Sequence, residues 1–143
     1  MKTGAIVLGS ILVLLLNVVT TSVRAADQAA VDEATKAADQ WLKLVDNGDY
    51  KQSWETASTI FKNAVTEDQW AQQVGSARKP LGALVSRKLK SAQYATSLPG
   101  APDGKYVVIQ YDSTFQNKRA AVETVTPMLD QDGKWRVSGY YIR

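Results

Sequence analysis

The sequence predicts a single α+β domain in which three helices precede a four-stranded antiparallel sheet. Three observations carry that prediction. Apolar residues recur at helical spacing as far as Arg78. Beyond Gly82 they give way to runs rich in Val, Ile, Thr, Tyr and Trp, separated by turn-forming clusters. The chain has 143 residues, 45% hydrophobic and 22% charged, so it has one domain's length and enough apolar material for a packed core.

Residues 1–25 are set apart from the fold. Lys2 is a short basic start, and Ala5 to Val19 is apolar apart from Gly9, Ser10 and Asn17. Val23-Arg24-Ala25 then places a small residue at a cleavage point and an aliphatic one two before it, as a signal peptidase requires. The run is short and polar-ended for a membrane span, which wants about 20 apolar residues. The expectation is a signal peptide cleaved after Ala25, a mature domain over 26–143, and a periplasmic or secreted location with no span retained. The rival is a retained anchor. Without Lys2 and Arg24, Lys plus Arg falls from 17 to 15 against 14 Asp plus Glu, so the mature chain is nearly neutral. It carries no electrostatic footprint for nucleic acid.

The first helix is expected from Ala26 to Asn47, with Val31, Ala34, Ala38, Trp41, Leu42 and Val45 in one buried stripe. Asn47-Gly48 stops it, because both residues tolerate a left-handed backbone. Asp49 with Gln52 has the spacing of a capping box and opens a second helix, whose stripe is Tyr50, Trp54, Ala57, Phe61 and Ala64. Thr66 with Gln69 repeats the device for a third helix carrying Trp70, Val74 and Ala77, which Pro80 closes near Arg78. Strands are expected at 84–94, 105–115, 120–129 and 134–142. The segments 99–104, 116–119 and 130–133 between them have the Gly, Pro, Asn and Asp content of hairpin connections.

Several separated motifs together resemble one family. They are Trp41-Leu42-x-Leu44-Val45-x-x-Gly48-Asp49-Tyr50, Ser53-Trp54, Phe61 with Trp70, Pro80-Leu81-Gly82-x-x-x-Ser86-Arg87, Leu98-Pro99-Gly100, Glu123-Thr124-Val125-Thr126 and Asp132-Gly133-x-Trp135-Arg136-Val137-x-Gly139-Tyr140. In this order they resemble the bacterial domain-of-unknown-function family 4019. That resemblance implies an exported bacterial protein. It also implies a cone of the nuclear-transport-factor-like or cystatin-like kind, with helices on a curved sheet. No activity and no catalytic residue follow from it.

The absence of Cys and His excludes thiol nucleophiles, disulfides, Cys/His zinc sites, His-ligated haem and a Ser-His-Asp triad. No cofactor, metal site or catalytic set is predicted. Asp130-x-Asp132-Gly133 lacks the further ligands of a calcium loop and is expected to be a turn. The candidate ligand-binding residues are Arg87, Glu123, Tyr111 and Trp54. Alternation puts Arg87 on a face with Val85 and Leu89, and Glu123 on a face with Ala121 and Val125. An Arg among aliphatic residues is costly to bury unless a carboxylate meets it, so the two are expected to approach each other on the helix-covered side. Trp54 and Tyr111 belong to a set of aromatics that either line a pocket or simply fill the core.

Three functional classes remain open. One is a non-catalytic module of the cell envelope binding a small ligand or a protein. Another is a small cone-fold enzyme using a strand carboxylate, Asp112 or Glu123. The third is an assembly protein pairing through its sheet, with a homodimer as one form of that pairing. The basic run Arg78, Lys79, Arg87, Lys88 and Lys90 offers contact with anionic lipid or polysaccharide, or is an ordinary solvated face.

Overall fold

Helix α1 spans Leu14–Asp46 and lies across one face of a four-stranded antiparallel sheet. The computed structural model of the chain describes residues 14–143, with side chains from residue 25. The expected signal peptide therefore falls outside the described residues over 1–13, and outside the described side chains as far as Arg24. Among the described residues no helix is long and apolar enough to cross a membrane.

The predicted stripe of α1 is the one buried: Ala34, Ala38, Trp41, Leu42 and Val45 are in the core, and Val31 packs at its margin. Gly48, at φ 77°, turns the chain after the helix. The expected second helix is two helices, α2 (Tyr50–Glu55) and α3 (Thr59–Ala64). The break comes at Ser58, whose extended backbone and side chain cap α3: its hydroxyl accepts from the Phe61 amide at 3.2 Å. Its own amide donates to the Val137 carbonyl of the sheet at 2.9 Å, so a tertiary bond replaces a continued helix. Restarting the helix also leaves Ala64 exposed, against expectation. Asp49 stands at the N-cap of α2 but makes no capping hydrogen bond, so that predicted box does not form. The Thr66–Gln69 box does form, and it opens α4 (Glu67–Arg78). A short 3-10 turn, Lys79–Leu81, follows.

The strands are β1 (Leu84–Ala95), β2 (Tyr106–Phe115), β3 (Lys118–Leu129) and β4 (Trp135–Ile142), in the order β1-β2-β3-β4 with two free edges. The β2–β3 connection is tighter than expected, because Phe115 pairs with Lys118 and only Gln116 and Asn117 turn. The inward face supplies Val107, Ile109, Tyr111, Val125 and Val137 to the same core as the helices. Irregularities in β1 beside Val85 and after Leu89 break simple alternation. Val85 and Leu89 are 63% and 55% exposed, so the aliphatic neighbours expected to be buried beside Arg87 are not.

The helical end of the core is aromatic. Trp41, Phe61, Trp70 and Tyr140 stack around one another, with Phe61 and Trp70 edge-to-face at 4.9 Å. Ser53 makes this possible without orphaning either indole. Its carbonyl accepts from Trp41 Nε1 at 2.8 Å, and its hydroxyl accepts from Trp70 Nε1 at 2.9 Å.

Candidate functional site

Arg87 and Glu123 do approach each other on the helix-covered face. Arg87 Nε donates to Glu123 Oε1 at 2.8 Å, and Nη2 donates to Oε2 at 3.2 Å. Across the sheet Arg87 pairs with Ser113 and Glu123 with Tyr111, so the two side chains meet diagonally over β2. Glu123 is fully buried and also accepts from the hydroxyls of Ser113 and Tyr140. Four donors therefore occupy the four acceptor positions of one carboxylate. A base must have a position left for the proton it takes, and none of these four is vacant. Asp112, the other strand carboxylate considered, is on the exposed face 3.6 Å from Lys90.

The network is larger than the predicted pair. Asp46, at the end of α1, takes both ends of Arg87: Nη1 on Oδ2 at 2.8 Å and Nη2 on Oδ1 at 2.9 Å. Asp46 Oδ1 also accepts from Arg78 Nη2 at 2.8 Å. Arg78 lies with its guanidinium carbon 4.8 Å from the centre of the Phe115 ring, while its Nε and Nη1 have no hydrogen-bond partner. The structure thus withdraws Arg78 and Arg87 from the basic run, since both are committed to Asp46 and Arg87 also to the buried Glu123.

Electrostatics follow the geometry. Burial alone would raise the Asp46 carboxyl, but hydrogen bonds from Arg87 and Arg78 outweigh it and hold it below the usual range. Burial opposes the charge on Arg87, yet Asp46 and Glu123 push its ionisation further up. Tyr140 is raised by burial and by the adjacent Glu123 charge. Tyr111 is raised by burial and by Asp39, whose Oδ1 accepts its hydroxyl at 2.7 Å.

Of the four candidate binding residues, three fall together. Tyr111 adjoins Glu123 in the strand register. Trp54 stands apart: it is part-buried in α2, and its Nε1 donates to the Val65 carbonyl at 2.8 Å. Sequence reasoning missed Asp46 and Arg78. Arg78 follows a helical stripe as though solvated, and only the packing of α4 against the sheet end shows its burial. Ser76 and Lys79 stand at Ser-x-x-Lys spacing at the end of α4, and both side chains are exposed.

A separate groove of about 380 Å³ runs between α1 and the start of β4. Ala37, Trp41, Leu44, Trp135 and Val137 give it an apolar wall, and Lys134 stands at its rim. Strand alternation puts Trp135 on the same face as Val137 and so predicts that both enter the core. Val137 does, while Trp135 is only partly buried and faces this groove. The β3–β4 register shifts beside Val137, at Thr126 and Pro127, which changes what the first residues of β4 pack against. Beyond Trp135, Arg136 is tied back by Asp132 at 2.7 Å and Asp130 at 3.2 Å, so the two aspartates of the turn clamp an arginine of β4. The groove and the ion network adjoin: the Trp41 ring on the groove wall lies 5.5 Å from Tyr140, whose hydroxyl donates to Glu123.

Comparison with known families gives one match. The family described as protein of unknown function DUF4019 matches residues 37–140, from the middle of α1 to β4. None of the curated proteins matches the chain in sequence.

Proposed function

The chain belongs to the DUF4019 family of proteins of unknown function, and from that premise we propose that it is a non-catalytic binding module for a small ligand with an apolar body and an anionic group. The observation that carries this reading is the groove between α1 and β4. It has an apolar wall with one incompletely buried indole, and a lysine at its rim that enters no ion pair among the described residues. An apolar ligand body gains by covering Trp135 and Leu44, and an anionic group gains by reaching Lys134. Arg87, Glu123 and Tyr111 serve this site from behind. Glu123, held by Arg87, fixes Tyr140, which backs Trp41, and Tyr111 ties the neighbouring strand to α1 through Asp39, so the groove wall is set before a ligand arrives. The full occupation of Glu123 by donors favours this role over proton transfer.

In this reading the domain has the cone shape of the nuclear-transport-factor-like folds and works in the bacterial cell envelope, released from a leader ending at Ala25. N-terminal sequencing of the exported form tests the second point: a start at Ala26 supports it, and an intact Met1 in a membrane fraction refutes it.

The site is tested with 8-anilinonaphthalene-1-sulfonate, an aromatic ring system bearing one sulfonate. Saturable fluorescence enhancement is expected with the folded chain. Leu44→Asp should weaken binding by about tenfold or more, the effect of losing about 1.4 kcal/mol. Lys134→Gln should weaken it by a smaller factor. Far-ultraviolet circular dichroism checks that each variant keeps its fold. Equal binding by wild type and a folded Leu44→Asp variant would remove the groove from consideration.

A further inference from the structure

We infer that the sheet face turned away from the helices carries a second site, one that takes a phosphate-type oxyanion group. The topology brings three cations from distant parts of the sequence to one depression of about 380 Å³: Lys88 on β1, Arg119 at the start of β3 and Arg143 after β4. None of the three enters an ion pair among the described residues. Among the described residues the one side-chain carboxylate lining the depression is Asp112, and its near cation is Lys90 at 3.6 Å, so Lys88 enters no ion pair with it.

Strand pairing holds these groups in place. Lys88 pairs with Asp112, Asp112 pairs with Val122, and Val122 exchanges backbone hydrogen bonds with Arg143 at 2.9 and 3.1 Å. Lys88 therefore lies on the opposite side from its neighbour Arg87, whose side chain is sealed in the ion network. Arg119 follows the tight Gln116-Asn117 turn, and its carbonyl accepts the Thr114 hydroxyl at 2.9 Å, which fixes the backbone that presents it. Ser86 adds a hydroxyl group to the lining, and the Thr114 hydroxyl is already spent on Arg119. Planar guanidinium forks can each take two oxygens of a tetrahedral phosphate, with an ammonium and a hydroxyl nearby for the others.

The groove between α1 and β4 belongs to the helix-covered side, so this site stands or falls separately from it. The test is a titration of the ¹⁵N-labelled chain with sodium pyrophosphate at low ionic strength, followed by amide shifts. Saturable shifts are expected at Ser86, Lys88, Thr114, Arg119 and Arg143, and weakening by about tenfold or more in the doubly substituted Lys88→Gln/Arg119→Gln chain. Both side chains are exposed, so the variant should fold, and its undisturbed spectrum elsewhere checks that. Non-saturating shifts spread over all lysines, or equal affinity in the double variant, would overturn the site.

A second arm separates the sources of the group, using sedimentation with vesicles of phosphatidylglycerol and of phosphatidylcholine. Sedimentation with phosphatidylglycerol alone, competed by pyrophosphate and lost in the double variant, identifies a lipid headgroup. Pyrophosphate binding without sedimentation identifies a soluble phosphate compound. Sedimentation that the double variant retains counts against the site.

Discussion

Glu123 is the residue on which most depends. Its carboxylate is the meeting point of β1, β2 and β4 through Arg87, Ser113 and Tyr140. Removing it leaves Arg87 with Asp46 alone and strands the Arg87 Nε and two hydroxyls, so Glu123→Ala is expected to cost about 3–5 kcal/mol in urea unfolding. A double-mutant cycle with Arg87→Met should show a coupling of about 1–3 kcal/mol, since the two side chains share two hydrogen bonds in one network. Coupling near zero would mean that Asp46 alone satisfies Arg87. The two tryptophans of the groove should separate in the same assay. Trp41→Ala, in the core, is expected to lose about 3–5 kcal/mol, and Trp135→Ala less, because its ring is only partly buried at the margin of the core.

Among the elements, the helix caps discriminate between a motif in sequence and a bond in space. Ser58, Asp49 and Thr66 all have N-cap chemistry, yet only Ser58 and Thr66 accept a backbone hydrogen bond. Thr66→Ala is expected to destabilise by about 1 kcal/mol, and Ser58→Ala by a similar or larger amount, since its hydroxyl is buried. Asp49→Ala should fall within about 0.5 kcal/mol of wild type. Parallel urea titrations of the three variants check the order, and a costly Asp49→Ala would show that the α2 cap forms in solution.

The whole molecule should lose stability at both ends of the pH scale. Asp46 ionises at lower pH in the fold than in the unfolded chain. Its contribution is therefore present above about pH 4 and is lost as pH falls below that through the folded value. Tyr111 and Tyr140 are raised in the fold. Above about pH 10 the unfolded chain releases these two protons while the folded chain keeps them, so stability declines with each further pH unit. Urea midpoints at pH 7, 10 and 11 check the decline, and absorbance near 295 nm should show two phenols that ionise only on unfolding. If all six tyrosines titrate freely near pH 10 with the fold intact, the hydrogen bonds to Asp39 and Glu123 are not maintained.

What the sequence determined by itself is what local rules control. The stripe from Ala34 to Val45, the Thr66 box, the end of α4 before Pro80 and the four strands all follow from periodicity, capping and turn chemistry, which act over a few residues. Arg87 and Glu123 were legible as a pair because burying a lone charge is so costly that its partner can be sought among the few strand carboxylates. Tertiary structure decided the rest. The helix break at Ser58 depends on the Val137 carbonyl, 79 positions away in the chain, accepting its amide. The exposure of Val85 and Leu89 depends on irregularities in strand pairing, and the partial burial of Trp135 on what α1 leaves uncovered. Asp46 and Arg78 join the ion network only because the ends of two helices converge on one end of the sheet. Burial and charge pairing depend on distance in space, and no spacing in the sequence encodes that distance until the elements are packed.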